Sequence, residues 1–317
     1  MKVLFLRRWL GQAIALVVGM IAVVAISLPA RAEISVGPWT PIFQGIDYAT
    51  GSADAKEPRV QQVRVVRVDL RHPNVELFTT PANGDAPQET TSETAGEFLA
   101  RHNLQVAINA NFFAPCCEPG DKDLTGLAIS RGEIVSRPVS TGAAGTQVLA
   151  ITRDNRARIA ATERGFSTEG IWTAIAGSDW VLVRGEVVNQ PATAFRTTAH
   201  PRTAVGVSQD GRYLFLMTID GRQPGWSEGA STEELAAWLR RFGAYDGLNL
   251  DGGGSTTLVR EEEGRPVVLN RPSGVALGSS DDGTTLGLQR VQRSNGNNFG
   301  VFAPRLGEIV IPGMPRR

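Results

Sequence analysis

GLNLDGGGSTT, residues 247–257, is the stretch of sequence that most constrains both the fold and the chemistry. Its first residues, from Gly247 to Leu250, are typical of a short buried strand, and Asp251 places a carboxylate where that strand ends. Three glycines follow, namely Gly252, Gly253 and Gly254. Because glycine costs chain entropy and packs no side chain, three in succession indicate a backbone that approaches something closely or adopts positive φ.

The same loop has the composition of an anion-binding nest beside a carboxylate. Successive backbone N–H groups in a glycine-rich turn can surround an anion, and the hydroxyl groups of Ser255 and Thr256 would add donors. Such a site suits a substrate that carries a phosphate next to a bond that is protonated, attacked or polarised by a metal. A tight surface turn capped by Asp251 is the alternative. The loop is neither a P-loop nor a dinucleotide-binding fingerprint, because the required lysine and glycine spacing are missing.

A capped helix precedes this strand, and the same arrangement occurs earlier in the chain. Ser231-x-x-Glu234 is a capping box, and an apolar helical face after it ends before Gly243, where a helix stop is expected. Thr94-x-x-Glu97 is a second capping box, and the strand predicted after its helix runs from Gln105 to Ala110. Strand ends that open into polar loops are favoured places for ligands, so both ends are candidate parts of one site.

The remaining chain is rich in short strands. Gln62 to Leu70 alternates in part between valine and polar residues, which predicts a strand, and Val75 to Thr79 is expected to pair with it. Residues 124–220 form a series of short apolar segments separated by glycine-containing turns. We therefore predict an α+β fold, a strand-rich single domain with mixed sheets and a few short helices, after an N-terminal signal segment.

The first 32 residues have the features of a secretory signal peptide. A basic segment that ends in Arg7-Arg8 is followed by a mostly apolar run, and Ala30-Arg31-Ala32 fits the small-x-small cleavage rule. The alternative is a single membrane anchor, because about twenty apolar residues can span a bilayer. We predict a signal peptide at 1–32 and a secreted or periplasmic mature protein, in which residues 33–60 lead into a single catalytic domain at 61–317.

Composition and charge exclude several classes of partner. Removal of the signal takes away four basic and no acidic residues, so the net charge changes from 0 to −4. We therefore expect no binding to nucleic acid, and no membrane association after signal cleavage. The two cysteines, Cys116 and Cys117, are adjacent, which excludes a multi-cysteine metal framework. Either a strained disulfide or a pair of thiols in a turn fits them.

A second polar group is predicted at one end of a hairpin. Arg202 and Thr203 begin an apolar strand, and Asp220 follows the next strand, so the intervening turn would bring Arg202 and Asp220 to the same end. Arginine is the side chain best suited to bind a phosphate through two parallel hydrogen bonds. An ordinary structural Arg–Asp pair is the alternative.

Two asparagine motifs suit recognition of a sugar. Asn109 and Asn111 stand beside Phe112 and Phe113, and amides bind sugar hydroxyls while aromatic rings stack on the flat face of a sugar. Core phenylalanines beside a turn asparagine are the alternative. Asn270-Arg271 opens a polar turn after an apolar strand, and both side chains are candidate ligand contacts or ordinary turn residues.

The sequence contains no set of dedicated metal ligands. It has neither the His-x-x-x-His nor the Cys/His spacing that zinc sites use, and no Gly-x-Ser-x-Gly motif supports a serine hydrolase. Asp251, Asp220 and nearby backbone oxygens could hold a hard cation such as Ca²⁺ or Mg²⁺, although no EF-hand spacing supports this.

Taken together, these segments resemble the phosphodiester glycosidase family. They occur in the family's order across roughly residues 60–303, and the combination of Asp-Gly-Gly-Gly-Ser with Pro-Arg-Thr is the most specific part. The matching stretches are Val106–Phe113, Ala176–Ser178, Pro201–Gly206, Asp220–Arg222, Leu248–Thr257 and Asn270–Ser273.

The resemblance implies hydrolysis of a sugar-1-phosphodiester, within a sugar-phosphate-containing glycan or glycolipid, to a free sugar and a phosphomonoester. A phosphomonoester is a good leaving group. Stabilisation of an oxocarbenium-like centre and of the departing charge therefore matters more than strong acid assistance.

On this basis each candidate residue receives an expected role. Asp251 would be the carboxylate at the reacting centre, as base or nucleophile, and Arg202 would hold the phosphate, supported by the glycine amides and Ser255. Asn109 and Asn270 would position sugar hydroxyls. Asp220 would orient Arg202 or serve as a second carboxylate.

Two other functions stay open from the sequence. A non-catalytic envelope protein could bind a polysaccharide in the same groove, although two carboxylates and Arg202 favour an enzyme. A metal-dependent phosphodiesterase would cleave the P–O bond rather than the bond at the anomeric carbon.

Overall fold

The computed structural model describes residues 34–54, 59–279 and 285–309. The predicted signal peptide at 1–32 lies outside these ranges. The described residues form strands β1–β24, helices α1–α3 and one short 3-10 turn, Gly253–Ser255. In chain order the strands and helices are β1 Ile34–Val36, β2 Thr40–Phe43, β3 Ile46–Ala53, β4 Gln61–Asp69, β5 Glu76–Thr79, β6 Thr90–Thr91, α1 Ala95–Arg101, β7 Val106–Asn109, β8 Phe113–Ala114, β9 Asp121–Leu124, β10 Ala128–Ser130, β11 Glu133–Ser136, β12 Gln147–Thr152, β13 Ala157–Ala161, β14 Ile171–Gly177, β15 Asp179–Val183, β16 Glu186–Val187, α2 Ala194–Thr197, β17 Arg202–Val207, β18 Tyr213–Ile219, α3 Thr232–Phe242, β19 Asp246–Asn249, β20 Leu258–Glu262, β21 Arg265–Val268, β22 Gly274–Ser279, β23 Thr285–Val291 and β24 Asn298–Phe302.

The strands form one large sheet and several smaller ones. The nine-stranded sheet has the order β1-β3-β4-β18-β17-β19-β15-β16, and β2 pairs with β3 outside this path. Two five-stranded sheets have the orders β21-β20-β7-β24-β5 and β11-β10-β14-β12-β13. Neighbouring strands are antiparallel, as expected where short turns connect successive strands. The predicted strand-rich α+β class with a few short helices is confirmed.

Valine residues on both faces of β4 show where the core lies. Val63 and Val65 belong to the cluster beneath α3, together with Trp238, while Val66 and Val68 belong to a cluster shared with the five-stranded sheets. Side chains alternate between the two faces of a strand, so a strand covered on both sides needs apolar residues at odd and even positions alike. The large sheet is therefore a middle layer at this point.

Both predicted capping boxes are present. The Thr94 hydroxyl accepts from the Glu97 amide at the start of α1, and Ser231 does the same with Glu234 at the start of α3. Gly243 ends α3 in the left-handed conformation, with φ +104°. These local signals predicted the helix bounds correctly because each is satisfied within one helical turn.

One predicted strand pairing is wrong. Val75 to Thr79 was expected to pair with Gln62 to Leu70, but β5 pairs with β24, in the register Phe299↔Thr79. Both edges of β4 are already occupied, by β3 and by β18. The turn after β4 therefore carries the chain into a different sheet.

Two features of the remaining surface bear on the sequence predictions. Cys116 and Cys117, between β8 and β9, are joined by a disulfide. Across the described ranges, the helices are all too short or too polar to cross a bilayer.

Candidate active site

The site forms where strands from two different sheets end against each other. β7 belongs to a five-stranded sheet and β19 to the nine-stranded sheet. The Asp251 amide donates to the Ala110 carbonyl oxygen at 3.0 Å, and Asn109 Nδ2 donates to the Asp251 carbonyl oxygen at 2.6 Å. The two strand ends that the sequence singled out are thus joined directly.

Asp251 carries the carboxyl group of the site. Its Oδ1 accepts from the Gly252 amide at 2.9 Å, and Ser255 also contributes a side-chain hydrogen bond. Burial raises the pKa of Asp251 from 3.8 to about 6, because it disfavours the charged form. The Ser255 hydrogen bond, the positive charge of Arg293 and the Gly252 amide oppose this rise.

The glycines combine close approach with positive φ, as predicted, but they approach other parts of the protein. A Cβ atom on Gly252 would lie 2.7 Å from the Pro201 carbonyl oxygen, and one on Gly254 would overlap the Arg293 guanidinium. Gly253 has φ +62°, a conformation that favours glycine. The Gly252 amide donates to Asp251 and the Gly253 amide to Pro201, so two amides of the expected nest are engaged within the protein.

The buried Asn109 side chain forms hydrogen bonds to the 251–257 loop. Its Oδ1 accepts from the Thr203 hydroxyl at 2.8 Å and from the Thr257 amide at 3.1 Å, while its Nδ2 donates to Asp251. The Thr203 hydroxyl also lies 3.4 Å from Thr256 Oγ1. Asn109 is fully buried. It therefore positions the Asp251 loop and does not line the open cleft.

Asn111 has a comparable role two residues further along, just after β7. Its Oδ1 accepts from the Ala176 amide and from Asn297 Nδ2, both at 2.9 Å. Its Nδ2 faces carbonyl oxygens of residues 125–127 at 3.3–3.5 Å. With its amide group committed to backbone and to Asn297, Asn111 joins three segments of the framework.

Asp220 lies at the same end of the β17–β18 hairpin as Arg202, as predicted, since Arg202 pairs with Ile219, but its carboxylate bonds to other residues. Its Oδ1 accepts from Asn270 Nδ2 at 3.1 Å and from the Arg271 amide at 2.9 Å, and its Oδ2 accepts from Trp226 Nε1 at 2.9 Å. Burial raises the pKa of Asp220, and these three donors oppose the rise. The expected roles of orienting Arg202 or acting as a second carboxylate in the cleft are not what this geometry provides.

Asn270 and Arg271 extend the hydrogen-bond network around Asp220. Asn270 Oδ1 accepts from the Leu258 amide at 2.8 Å, and its Nδ2 also donates to the Thr256 carbonyl oxygen at 3.1 Å. The exposed Arg271 guanidinium lies over the Trp226 ring at 5.4 Å. Asn270 therefore supports the end of the 251–257 loop, whereas the Arg271 amide bonds to Asp220.

Arg202 lines the cleft, but most of its guanidinium is committed to backbone. Nε donates to the Ala230 carbonyl oxygen at 2.9 Å, and Nη2 donates to Phe195 and Thr198 carbonyl oxygens at 2.5 and 3.2 Å. Burial lowers its pKa to about 10. Arg202 thus fixes α2, which a salt bridge of 2.8 Å between Arg196 and Asp179 also holds.

The open cleft itself has a volume of about 270 Å³. The predicted residues Asp251, Arg202 and Gly252–Gly254 line it, together with six that were not among the predicted site residues. Those six are Phe112, Phe195, His200, Pro201, Arg222 and Arg293. The other predicted residues form the framework behind it, namely Asn109, Asn111, Thr203, Asp220, Ser255, Thr256, Asn270 and Arg271.

Two arginines lie directly on the glycine loop. Nη1 and Nη2 of Arg222 would each be 3.3 Å from a Cβ atom on Gly253, and the Arg293 guanidinium packs on Gly254. Arg222 Nη2 is 3.4 Å from His200 Nδ1, and Arg293 Nη1 is 3.4 Å from Ser255 Oγ. Burial and the nearby arginine charges lower the pKa of His200. A neutral His200 ring therefore accepts from Arg222 at neutral pH.

Aromatic rings form another part of the cleft wall. The rings of Phe112 and Phe195 meet edge to face, with centroids 6.3 Å apart, and Phe195 lies 6.5 Å from the His200 ring. Phe195 is exposed although large and apolar. It is carried by α2, whose position depends on Arg202, so the buried arginine presents an aromatic surface to the cleft.

A larger groove of about 760 Å³ lies elsewhere, between residues 70–77 and 153–157. Its Arg71 and Arg156 form salt bridges with Asp210 and Asp154. None of its lining residues comes from the motifs around Asp251. Chemistry rather than size therefore favours the smaller cleft as the active site.

The donor set expected for Ca²⁺ or Mg²⁺ is not brought together. Asp251 lines the cleft, while both oxygens of Asp220 accept from nitrogen donors behind it. Within the described ranges no cluster of three or more His, Cys, Asp or Glu residues could hold a metal ion.

Comparison with known proteins identifies the family. A sequence profile for phosphodiester glycosidases matches residues 102–300, well over half of the chain. The chain belongs to the phosphodiester glycosidase family. It is accordingly a hydrolase of that class, and the matched segment contains β7, the Asp251 loop and all the residues that line the cleft. Among curated proteins, no sequence gives a significant match.

Solved structures show the same fold at low sequence identity. The chain is 19% identical to the zebrafish N-acetylglucosamine-1-phosphodiester alpha-N-acetylglucosaminidase catalytic domain, a structure auto-inhibited by its pro-peptide, with a TM-score of 0.59. That similarity covers 85% of this chain and 87% of the zebrafish chain. A hypothetical protein from Synechocystis is 17% identical, with a TM-score of 0.53 over 82% of this chain and 62% of that one.

Proposed function

We propose that this phosphodiester glycosidase hydrolyses a sugar-1-phosphodiester to a free sugar and a phosphomonoester, with Asp251 as the carboxylate at the reacting centre. The observation that carries the proposal is the position of Asp251. Asp251 lines a small cleft that also contains Arg222 and Arg293. A glycosidase of phosphodiesters needs this pairing of a carboxylate with cations, because the sugar becomes cationic while the leaving group takes negative charge.

The proposed reaction balances without any added reactant. A water oxygen forms a bond to the anomeric carbon, the bond from that carbon to the phosphate oxygen breaks, and the phosphomonoester leaves with the electron pair. Asp251 would accept the proton from water, or attack the anomeric carbon first and be released by water. Its pKa of about 6 leaves it mostly ionised at neutral pH, as either role requires.

A single carboxylate fits the chemistry of this leaving group. Among the described residues that line the cleft, Asp251 is the one carboxylate. A sugar alkoxide leaving group needs a second carboxylic acid to protonate it, whereas a phosphomonoester departs as a stable anion. The exposed Phe195 ring and Phe112 would provide an apolar surface for the sugar.

Substitution of Asp251 tests this role. Asp251→Asn keeps the shape of the side chain and an acceptor for the Gly252 amide, so the fold should be retained. We expect kcat on an aryl phosphodiester of a sugar to fall by at least about 100-fold, the lower end for loss of acid–base catalysis. Asp246→Asn is the matched control, because Asp246 lies at the other end of β19 and its Oδ1 accepts from the Arg184 amide. Wild-type turnover in a folded Asp251→Asn variant would reject the assignment.

The proposal also covers the class of substrate and the cellular location of the enzyme. The predicted signal at 1–32 supports export, and an exported phosphodiester glycosidase would act on a sugar-phosphate-containing glycan or glycolipid of the cell envelope. N-terminal sequencing of the mature protein checks the cleavage after Ala32. A screen of sugar-1-phosphodiesters, with and without a chelator, identifies the sugar and any metal requirement.

A further inference from the structure

Arg222 and Arg293 are two like charges that line one cleft, in which Asp251 is the one carboxylate among the described lining residues. Their guanidinium groups pack on Gly253 and Gly254, which are successive residues with Cα atoms about 3.8 Å apart. Among the described residues, neither arginine forms a salt bridge. Asp251 supplies the one nearby negative charge, through its interaction with Arg293. The cleft therefore carries more positive than negative charge.

The hydrogen-bond donors of these two arginines are largely uncommitted. A guanidinium group has five N–H donors. The contacts of Arg222 with His200 and of Arg293 with Ser255 are both 3.4 Å, at the weak limit for a hydrogen bond. By contrast, Arg202 in the same cleft donates three hydrogen bonds to carbonyl oxygens. Arg222 and Arg293 are the arginines available to an anion.

The backbone of Arg222 adopts a conformation that few residues other than glycine adopt. Its φ is +58°, in the left-handed region, which is unfavourable for a residue with a Cβ atom. The amide of Arg222 donates to the Glu228 carbonyl oxygen at 3.3 Å, within the turn closed by Gln223 and Ser227. This turn directs the side chain over Gly253 in a conformation where glycine would cost less.

We propose that Arg222 and Arg293 form an anion clamp that binds the phosphomonoester product and free phosphate more tightly than the phosphodiester substrate, so that the enzyme is inhibited by its own product. The product identity rests on the proposed function. A phosphodiester carries one negative charge, whereas a phosphomonoester carries about 1.5 to 2 at neutral pH and has one more terminal oxygen to accept hydrogen bonds. Two guanidinium groups match the product better on both counts.

The clamp also explains why Arg202 need not hold the phosphate. Arg202 is occupied in fixing α2, and the expected phosphate contact moves to the two arginines that contact the glycine loop and line the same cleft. The glycines are then needed because side chains at 253 and 254 would displace the guanidinium groups. The triple-glycine motif thus supports anion binding through the arginines that it admits.

Inhibition and direct binding by inorganic phosphate test the clamp. We expect inorganic phosphate to compete with the substrate in the wild-type enzyme. Arg222→Gln and Arg293→Gln should each raise its inhibition constant by about 10- to 100-fold, the loss expected for a hydrogen bond to a charged group. Arg241→Gln is the control, because Arg241 is exposed in the last turn of α3 and does not line the cleft. Methyl phosphate should inhibit at least about 10-fold more strongly than dimethyl phosphate.

The outcomes separate the clamp from the proposed function. Equal phosphate inhibition in the wild type and both glutamine variants, or equal inhibition by the two methyl esters, would overturn the clamp while turnover stands. Arginine-dependent phosphate binding measured by calorimetry, without hydrolysis of any sugar phosphodiester, would leave the clamp and overturn the proposed function. If Arg293→Gln does not fold, Arg293→Lys serves in its place, since it keeps the charge but loses the planar pair of donors.

Discussion

Replacing Asp251 by asparagine should make the protein more stable while it lowers kcat by at least about 100-fold. Burial raises the pKa of Asp251 from 3.8 to about 6. The native state therefore holds this proton more tightly than the unfolded chain does, and the free energy of unfolding falls as the pH rises from about 4 to 6. The ionised carboxylate costs the wild type about 3 kcal/mol above that range, at about 1.36 kcal/mol for each pH unit. Asparagine does not ionise, so the variant avoids this cost.

The difference in stability between the Asp251→Asn variant and the wild type should depend on pH. At pH 7.5 the variant should exceed the wild type by up to about 3 kcal/mol in free energy of unfolding, and at pH 4.5 by about 1 kcal/mol. Urea denaturation followed by tryptophan fluorescence measures both values, and the chain has six tryptophans. Asp246→Asn should show no such trend. A variant that is less stable than the wild type at pH 7.5, or a stability difference that does not change with pH, would refute the reasoning.

Three further predictions follow from the same contacts. The value of kcat/KM should fall below pH about 6 as Asp251 takes up its proton, and a flat pH–rate profile from pH 5 to 7 would contradict its role as base or nucleophile. Asn109→Ala removes three hydrogen bonds around Asp251, so urea denaturation should show a loss of about 2–4 kcal/mol, whereas an unchanged midpoint would show that the framework is dispensable. Gly254→Ala would overlap the Arg293 guanidinium, and phosphate titrations should show an inhibition constant at least about 10-fold higher; unaltered inhibition would count against the packing of Arg293 on this glycine.

The sequence predicted the elements of this site better than it predicted which side chains face the cleft. The strand ends at Asn109 and Asp251, both capping boxes and the close approach of the glycines follow from local signals, and the structure confirms them. Local signals indicate where a chain turns or ends. They do not show which of two polar neighbours points into a cleft, because that depends on contacts between distant segments.

Arg202 and Arg222 illustrate this limit. The Pro-Arg-Thr motif singled out Arg202, yet its donors bind carbonyl oxygens of residues 195, 198 and 230. Those acceptors lie on a helix and a loop whose positions the sequence did not reveal. Arg222 follows Asp220-Gly221 in one of the matching stretches, and its left-handed backbone was not visible there. The family match supports the motifs as a set. It does not show which of their side chains point into the cleft.

Hydrolysis in water labelled with oxygen-18 tests the central claim most directly. In the proposed reaction water attacks the anomeric carbon, so the bridging oxygen leaves with the phosphate and no label enters the phosphomonoester. The phosphate product is the preferred readout by phosphorus NMR, because a free sugar exchanges its anomeric oxygen with water. An unlabelled phosphomonoester is the predicted result, and a phosphomonoester that carries one oxygen-18 would show P–O cleavage and contradict the account.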